Sequence, residues 1–543
     1  MNNDIFSLHQ TLAEAFREAV GPLGAGETPV SIERPKDKNH GDYAAPLAML
    51  LAKKLKKPPL AIARDLIQNL KFDPELVLTA EAASPGFINL RLNPKVYYSA
   101  LEQALDQGDR FGENNQEKTS RVILEFVSAN PTGPLNVVNA RAAALGDCIA
   151  NLLAASGAVV SREYYVNDAG VQARLFGESL LAARDRINGL NTPAPENGYQ
   201  GAYMEDLARE YVKVLPPPDA SLWGMEQVLG WHKKSLESYG VSFDRWFSEK
   251  RELHDSGLVR KTVEDLQKSG LIYEKDGAQW MRVSDFGAPK DEVIVKSDGQ
   301  FAYFAADIAY HLQKFSRGFN QVLDIWGPDH HGHILRMKSA LQAAGCAVDH
   351  FTVLIAQQVN LMEGTEKVKM SKREGKFVTM DELLEKVGKD AARFFFVMRG
   401  ANSHFDFDIE VARKQTDENP VFYIQYAHAR ICSLLKKCAE NGLTPGQRSG
   451  EFTPLVEPES LLLLKEIMEY PQWVVESGRA FEPHRMVAYL QNLAGGFHLF
   501  YSKHRILDAP PEVAKARLSL VKGVKTVLHN ALALLGVSAP EQM

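Results

Sequence analysis

The chain has 543 residues, of which 45% are hydrophobic and 24% are charged, a composition typical of a globular protein of about three or four domains. A formal net charge of −6 excludes a global positive field, so any contact with nucleic acid must use local basic patches. Only four cysteines and no CxxC pair favour free thiols in a reducing compartment and argue against a cysteine zinc site. The amphipathic N-terminus differs from a signal peptide, and no apolar run approaches the roughly 20 residues that cross a bilayer. We therefore expect a cytoplasmic protein without membrane segments.

Residues 1–110 alternate helical and strand-like segments and predict a small α/β domain. Apolar residues recur at helical spacing in 6–20 and again in 44–55. A Pro-Gly turn leads into a predicted strand at 85–90, and the polar stretch 106–120 is typical of a linker.

The next part predicts a parallel sheet. A β-rich run at 122–127 enters a Pro-Thr-Gly-Pro turn, and a helix with an Ala-rich face follows at 135–156. Strand, turn and helix in this order open a doubly wound α/β sheet. We expect a Rossmann-type domain at 120–405 with an insertion at about 185–275, which begins in a loop containing Pro and Gly. Further buried strands are predicted at 293–295, 322–326 and 351–355.

After about residue 415 the pattern is helical to the end of the sequence, and we expect a helical bundle at 406–543. Its predicted helices are 420–440, 458–477, 483–501 and 511–535. The expected fold class is therefore α/β, with a Rossmann-type domain between an N-terminal α/β domain and a C-terminal helical bundle.

Two short segments carry most of the functional information. The first, EFVSANPTGPLNVVNAR, covers Glu125 to Arg141, and the second, VKMSKREGK, covers Val368 to Lys376. Together they resemble the two ATP-handling signatures of class I aminoacyl-tRNA synthetases, and their flanking residues are similar to the arginyl-tRNA synthetase family. The resemblance runs from ERPKDKNHGDY at 33–43 to the end of the sequence. It implies a class I catalytic domain, an N-terminal additional domain that binds the tRNA elbow, and a C-terminal anticodon-binding bundle.

The second segment is a lysine-rich motif that, taken alone, is also typical of a solvated basic loop. The Glu-Gly-Lys-Phe-Val-Thr that follows it continues the arginyl-type pattern. Ammonium groups on a mobile loop can close over a triphosphate and stabilise the charge that grows as pyrophosphate leaves. The resemblance implies that Lys372 is the main catalytic lysine and that Lys369 assists it. It places two neighbours, Met370 and Ser371, against ATP as well.

The first segment departs from the family at the start of the predicted helix. The family has His-x-Gly-His where this chain has Asn-Val-Val-Asn at 136–139. A helix N-terminus attracts phosphate, and asparagine keeps an N–H donor although it cannot carry a positive charge. Two outcomes stay open: a working variant, or a site whose adenylate formation is weakened or lost. The resemblance assigns catalysis to Asn136 and Asn139, and ATP binding to Pro131, Thr132, Gly133, Asn136, Val138 and Asn139.

A candidate arginine pocket lies between the two segments in sequence. Tyr303 and Asp307 are four residues apart and would share one face of a helix. A carboxylate pairs with a planar guanidinium through two parallel hydrogen bonds, and the resemblance assigns Asp307 to that role and Tyr303 to a pocket wall. It assigns Glu125 and Asn130 to the substrate α-amino group and nearby polar atoms. Three further candidates are Asn167, Asp168 and Gln172, the last of which could equally be a structural cap. The alternative is an amphipathic helix with an incidental exposed aspartate.

The segment WGPDHHGH at 326–333 admits two interpretations. Three histidines and an aspartate could hold zinc, but adjacent histidines usually point in opposite directions and no fourth ligand is evident. The resemblance instead implies an ATP-binding segment at the end of a strand, where ligands bind in doubly wound sheets. It assigns ribose or adenine contacts to Asp329 and His330, and we expect no resident metal.

Two regions are candidates for tRNA contact. A lysine cluster is usually a solvated face, but beside an aromatic ring it could grip an RNA backbone. In the predicted bundle, Tyr426 and Arg430 lie one helical turn apart, which suits stacking on a base, although a core role for Tyr426 competes. The N-terminal candidates are Lys36, Lys38, His40 and Tyr43.

The resemblance implies an ATP-dependent arginine–tRNA ligase. Arginine and ATP, accompanied by Mg²⁺, would form arginyl-adenylate and pyrophosphate, and the arginyl group would then pass to the terminal adenosine of tRNA(Arg). The family also implies a monomer. The chief alternative is a non-catalytic tRNA-binding paralogue, favoured by the Asn-Val-Val-Asn segment and opposed by the intact lysine motif. A third possibility is the same chemistry with another amino acid, since charge alone does not exclude lysine.

Overall fold

The computed structural model of the protein describes residues 5–23, 28–35, 37, 40–364, 366–368 and 378–543. The N-terminal elements are α1 (Ile5–Val20), β1 (Tyr43–Ala45), α2 (Leu47–Leu55), α3 (Pro59–Asn69), β2 (Val77–Ala83), β3 (Phe87–Leu92) and α4 (Pro94–Gln107). The three strands form an antiparallel sheet in the order β1-β3-β2. The helix predicted at 44–55 begins only at Leu47, because residues 43–45 pair with β3.

The central part is built on a parallel sheet. It begins with β4 (Arg121–Glu125), α5 (Val137–Ala155), β5 (Val159–Val166), α6 (Gly170–Ile187), α7 (Ala202–Tyr211), α8 (Ala220–Ser238) and β6 (Arg245–Ser248). It continues with α9 (Leu258–Lys268), β7 (Ile272–Lys275), β8 (Ala278–Met281), β9 (Glu292–Val295), α10 (Tyr303–Ser316), β10 (Gln321–Trp326), α11 (His331–Ala343) and β11 (Phe351–Ile355). Five strands pair in parallel in the order β11-β10-β4-β5-β6. Their carboxyl ends therefore meet at one edge, where ligands bind in such sheets, and the predicted Rossmann-type class is confirmed.

The predicted insertion at 185–275 is not wholly separate from this sheet. β6 lies inside that range and pairs with β5, so the inserted segment must end before Arg245. α6, α7 and α8 pack around an apolar core of their own, in which Phe176, Leu207 and Val228 are buried. The strand predicted at 293–295 belongs to a small antiparallel sheet with β7 and β8 and not to the central sheet.

A third small sheet and three short helices lead into the C-terminal bundle. They are β12 (Val359–Glu363), β13 (Glu366–Lys367), α12 (Met380–Val387), α13 (Lys389–Val397), β14 (Phe405–Asp408) and α14 (Ile409–Arg413), with strand order β13-β12-β14. The bundle consists of α15 (Pro420–Glu440), α16 (Pro458–Arg479), α17 (His484–Lys503) and α18 (Pro511–Leu534). Three of these helices have proline at the first position, where its missing N–H costs no helical hydrogen bond.

The helix α5 occupies the centre of the molecule and packs against β5, α13 and α16. By length and composition it could cross a membrane, contrary to the sequence expectation, but 78% of its apolar stretch is buried inside the protein. Its apolar character therefore follows from core packing. Arg34 joins the N-terminal part to the bundle, since its guanidinium lies 4.5 Å from the Trp473 ring centre and 3.1 Å from carboxylate oxygens of Glu469 and Glu476.

Candidate active site

Three carboxylates lie side by side across the central sheet near its carboxyl edge. Asp324 on β10 pairs in register with Glu125 on β4, and Glu125 pairs in register with Glu163 on β5. All three side chains are buried. Buried carboxylates are unfavourable unless they are paired, so this row requires cations from a neighbouring element.

The helix α10 supplies those cations. The Lys314 ammonium lies 2.5 Å from Glu125 Oε2 and 2.7 Å from Asp324 Oδ1. The Arg317 guanidinium donates to both oxygens of Glu163, at 2.6 and 2.9 Å. Burial alone would lower the pKa of Lys314, but the two carboxylates outweigh it and hold the pKa above its ordinary value. The ion pairs therefore fix α10 in place on the sheet.

The predicted pair Tyr303 and Asp307 lies on the N-terminal turns of the same helix. Tyr303 is 57% exposed, and a Cβ placed on Gly170 would lie 3.2 Å from its hydroxyl oxygen. The Asp307 side chain is 38% exposed, and its Oδ2 lies 3.2 Å from Nε2 of His333 on α11. Both side chains are thus accessible to a ligand, and Asp307 already faces a basic partner.

Glu249 is a second acidic group, beside Tyr165, and is absent from the sequence predictions. It follows β6 directly and is only 4% exposed. It accepts a hydrogen bond from Tyr165 and lies 3.2 Å from His254, whose pKa it raises through that hydrogen bond. Burial raises the pKa of Tyr165, and Glu249 and Asp307 raise it further, so both acidic groups act on one ring. The sequence signal that could have found Glu249 is its position at the end of a strand, but that short strand lies within the predicted insertion.

The remaining predicted arginine contacts are already engaged with protein groups. Glu125 accepts from Lys314, and its other oxygen accepts from the Ser128 hydroxyl at 2.9 Å. Asn130 donates from its amide to the Gln172 side chain. Asp168 accepts from the Ser248 hydroxyl at 2.5 Å and from the Lys250 backbone N–H at 2.8 Å. Asn167 is partly buried beside it.

Asp168 therefore anchors the turn that carries Glu249. Asn130 and Gln172 form one polar pair. Glu125 instead connects the turn after β4 to α10.

The family's two histidine positions hold a capping box in this protein. Asn136 is the N-cap of α5, and its Oδ1 accepts from the backbone N–H groups of Val138 at 2.9 Å and Asn139 at 3.2 Å. The Asn139 Oδ1 accepts in turn from the Asn136 backbone N–H at 3.0 Å. Each amide oxygen thus stabilises the helix start, and each Nδ2 is left as the group that can donate.

The backbone is strained at the start of the turn that precedes α5. Val127 has a φ of 69° and Ser128 a φ of 36°, and a β-branched residue in this region is a backbone outlier. The bend brings the Ser128 hydroxyl to Glu125 and also to the Tyr165 backbone N–H at 3.1 Å. Pro131 and Thr132 are buried in the following turn, and Gly133 is partly buried. Strain of this kind is found where a site needs a fixed backbone path.

The lysine motif residues Lys369, Met370, Ser371 and Lys372 lie outside the described residues. The described residues that follow the motif meet the first segment directly. Thr379 forms an isolated antiparallel bridge with Asn136, and the Met380 N–H donates to the Leu135 carbonyl at 2.8 Å. The chain that follows the lysine motif is therefore joined to the start of α5.

Asp329 and His330 stand at the carboxyl end of β10, where the sequence places a ligand. Both are exposed, with His330 Nε2 3.5 Å from Asp329 Oδ2 and the His330 ring 5.9 Å from that of Trp326. His333 faces Asp307 instead. The histidines of this segment therefore serve different partners.

The N-terminal tRNA candidates include one correction. Tyr43 is fully buried in β1, with its ring edge-on to His9 at 4.7 Å between centres, so it cannot stack on RNA. A three-residue strand is too short to show in sequence which side faces the core. His40 is exposed, whereas Lys36 and Lys38 lie outside the described residues.

In the bundle, Tyr426 is 39% exposed on α15. The Arg430 guanidinium lies 4.4 Å from the ring centre of Tyr501 and 5.9 Å from that of Tyr426. His498 on α17 stacks on Tyr426 at 6.1 Å. Tyr501 and His498 join this aromatic and cationic face from a second helix, which local sequence spacing could not reveal.

A parallel sheet whose carboxyl edge carries the first ATP-type segment, joined there to the chain that follows the second, is the fold of a class I aminoacyl-tRNA synthetase catalytic domain. The family model for "tRNA synthetases class I (R), catalytic domain" matches residues 100–397. Models for an arginyl-tRNA synthetase N-terminal domain and a DALR anticodon-binding domain match residues 7–92 and 424–543. The chain belongs to the arginyl-tRNA synthetase family.

Named relatives agree along the whole chain. The arginine–tRNA ligase of Moorella thermoacetica is 45% identical over 98% of this chain and 97% of its own length. The arginyl-tRNA synthetase structure from Thermus thermophilus matches with a TM-score of 0.79 at 25% identity, covering 98% of this chain and 100% of its own. The structure from Campylobacter jejuni matches with a TM-score of 0.76 at 33% identity, covering 83% of this chain and 100% of its own.

Proposed function

We propose that the chain attaches arginine to tRNA(Arg) through arginyl-adenylate. The arginine carboxylate attacks the α-phosphate of ATP and pyrophosphate leaves. A ribose hydroxyl of the terminal adenosine of tRNA then attacks the arginyl carbonyl carbon, and AMP leaves. The observation that carries the proposal is the accessible Asp307 carboxylate on α10, which faces His333 at 3.2 Å, together with the buried Glu249 carboxylate directly after β6. Membership in the arginyl-tRNA synthetase family supports it.

The acidic pocket suits a guanidinium. In the substrate-free protein the Asp307 carboxylate faces His333, and arginine would replace this weak partner with two parallel charge-assisted hydrogen bonds. Glu249 adds a second carboxylate, and the exposed Tyr303 ring forms a wall. A guanidinium has five donors in a planar fork, whereas an ammonium is a point charge, so two separate carboxylates favour arginine over lysine.

The α-amino group is best placed at the amides of Asn130 and Gln172, since both carboxylate oxygens of Glu125 already have protein donors. We assign Glu125 to positioning, because it connects the strained turn to Lys314 and hence to α10. Asp168 positions the turn before Glu249, and Asn167 lies next to it.

For ATP, we propose that the free Nδ2 groups of Asn136 and Asn139 donate to phosphate at the positive end of α5. Pro131, Thr132, Gly133 and Val138 form the adjoining backbone surface. Asp329 and His330 contact the ribose or adenine. Lys372, assisted by Lys369 with Met370 and Ser371, stabilises the leaving pyrophosphate; this part rests on the motif alone.

The described residues form no coordination site that would hold Mg²⁺ by protein side chains alone. The one described cluster with suitable ligand atoms is Glu125, His311 and Asp324, and it already encloses the Lys314 ammonium. A divalent cation would face that ammonium at close range, so the cluster does not fit Mg²⁺. We propose that Mg²⁺ arrives bound to the phosphates of ATP.

For tRNA, we propose that His40, with Lys36 and Lys38, contacts the elbow of the tRNA. Tyr426 and Arg430, with Tyr501, stack on anticodon bases.

We propose domain limits of 1–110, 120–405 and 406–543, which the matched family ranges support. We further propose a cytoplasmic monomer without membrane contact.

Charging of purified tRNA with labelled arginine tests the proposal. The wild-type protein with ATP and Mg²⁺ should yield arginyl-tRNA and little lysyl-tRNA. Lys372→Ala should lower the rate sharply while leaving substrate binding nearly intact, and Lys268→Ala, which removes an exposed lysine on α9, is its matched control. No arginyl-tRNA, with a known synthetase active under the same conditions, would support the non-catalytic paralogue.

A further inference from the structure

The turn at 129–134, which enters α5, cannot stabilise itself through backbone hydrogen bonds alone. Its sequence Ala-Asn-Pro-Thr-Gly-Pro contains two prolines, which have no N–H to donate. The turn lies between β4 and α5 and belongs to no strand or helix. Buried carbonyl groups need donors, so other parts of the protein must supply them.

Three side chains from outside the turn supply those donors. The Tyr164 hydroxyl lies 2.9 Å from the Ala129 carbonyl oxygen, and the Tyr203 hydroxyl donates to the Thr132 carbonyl at 3.0 Å. Nε2 of His232 lies 2.8 Å from the Gly133 carbonyl oxygen. Because a carbonyl only accepts, Nε2 must carry the proton. The Thr132 and Gly133 carbonyls therefore each have a donor of their own, from α7 and α8, and the Ala129 carbonyl contacts the Tyr164 hydroxyl on β5.

His232 and Tyr164 form one buried unit. Nδ1 of His232 lies 3.0 Å from the Tyr164 hydroxyl, and both side chains are fully buried. Burial lowers the pKa of His232 to about 4, so the ring is neutral near pH 7 and its single proton stays on Nε2. The neutral tautomer leaves Nδ1 as an acceptor, so Nδ1 and the Ala129 carbonyl share the single proton of the Tyr164 hydroxyl.

The helix that carries His232 also contacts α12, which follows the second ATP segment in sequence. Ser235, one turn further along α8, donates to Asp381 Oδ2 at 2.8 Å. Asp381 lies in the first turn of α12, directly after the lysine motif. One helix of the inserted segment therefore contacts both the turn before α5 and the helix after the motif. Since α6, α7 and α8 share their own apolar core, they form one packed unit behind these contacts.

We propose that His232, Tyr164 and Tyr203 are positioning residues for ATP, and that the inserted helices set the backbone of the ATP-binding turn through them. The inference rests on the ATP site of the proposed function. It requires that loss of these donors weakens ATP binding more than arginine binding, because Asn130 is the one proposed arginine contact within the turn, whereas Asp307 and Glu249 stand on other elements. None of the three residues touches the reacting atoms.

The test compares the dissociation constant for ATP, measured by calorimetry with Mg²⁺ and without turnover, with the KM for arginine. His232→Leu removes both ring nitrogens, and His232→Gln keeps an amide donor that can reach the Gly133 carbonyl. Tyr203→Phe removes a single hydroxyl from a partly buried ring. Glu237→Ala, an exposed residue on the same helix, is the control. Melting temperatures separate unfolding from a local effect.

We expect the ATP dissociation constant to rise about tenfold in His232→Leu and about threefold in Tyr203→Phe, with the arginine KM changing less than twofold. His232→Gln should recover part of the loss, and Glu237→Ala should match the wild type. An unchanged ATP constant in folded Tyr203→Phe and His232→Leu, or equal losses for ATP and arginine, would overturn the inference. If His232→Leu does not fold, Tyr203→Phe and His232→Gln decide. A wild-type protein that binds ATP but charges no tRNA would refute the proposed function and leave this binding test intact.

Discussion

The two halves of the candidate site are held together by different forces. The arginine-facing half rests on ion pairs, since a buried row of three carboxylates is paired with Lys314 on the helix that carries Asp307 and with Arg317 at the end of that helix. The described residues of the ATP-facing half rest on neutral groups, such as the Asn136 cap and the carbonyl contacts of Tyr203 and His232. One half depends on charge and the other on backbone geometry.

This difference predicts how each half responds to substitution. Removing one member of a buried ion pair leaves an uncompensated charge and costs several kcal/mol. Removing one helix cap or one neutral hydrogen bond costs about 1 kcal/mol. Single substitutions should therefore affect the arginine half more strongly, whereas the ATP half should weaken in small steps.

The largest expected effect is on stability. Lys314→Met leaves Glu125 and Asp324 buried without their shared cation and should lower the free energy of unfolding by about 3–5 kcal/mol. Lys95→Met is the matched control, because the Lys95–Glu75 pair is exposed and such pairs contribute little. Denaturant titration measures both variants. Equal unfolding midpoints would contradict the importance of the buried row.

Asp307→Asn should have the second-largest effect, on the KM for arginine. The substitution keeps the shape of the side chain and removes its charge, so the guanidinium loses a charge-assisted pair worth roughly 2–3 kcal/mol. The KM for arginine should rise about 30- to 200-fold while ATP binding stays near normal. Asp349→Asn, at an exposed position before β11, controls for loss of charge. An unchanged arginine KM would show that the guanidinium binds elsewhere.

Lowering the pH should reduce the stability of the ATP-facing half before that of the arginine-facing half. Burial lowers the pKa of His232 to about 4, below the unfolded value of 6.5, so the unfolded chain binds the proton more readily. The stabilising contribution is complete above about pH 6.5 and is lost as pH falls toward 4. Between pH 7 and 5 the loss is up to about 2 kcal/mol. The melting temperature of His232→Gln should fall less over this range than that of the wild type, and an equal fall would refute the assignment.

The smallest effect should come from the cap. Asn136→Ala removes the acceptor for two N–H groups and one amide donor, so stability should fall by about 1 kcal/mol and ATP affinity by up to about tenfold. Asn136→Ser keeps a cap acceptor without the amide. It should recover the stability but not the ATP affinity. Full recovery of both would mean that the amide does not contact phosphate.

Local patterns were sufficient to predict much of the fold. The strand, turn and helix that open the central sheet have a clear change of periodicity, and the bundle helices have apolar spacing with proline at their starts. The two ATP-type segments are also local patterns, and their resemblance predicts that they lie beside each other.

Other residues could not be predicted because their role depends on tertiary contacts. Glu249 and His232 reach the site from β6 and α8, within a stretch without any recognisable motif. Glu125 has a typical position for a substrate contact, but its partner Lys314 is 189 residues away in sequence. Tyr43 looks like an RNA contact beside lysines, yet its burial follows from strand pairing that three residues do not reveal.

Arginine-dependent exchange of labelled pyrophosphate into ATP, in the presence of tRNA, tests the central claim most directly, because it requires both halves of the site at once. We predict exchange with arginine, none above background with lysine, and loss of the arginine signal in Asp307→Asn. A folded protein that binds tRNA but supports no exchange with arginine would contradict the account, since an intact acidic half would then stand beside an ATP half that cannot form the adenylate.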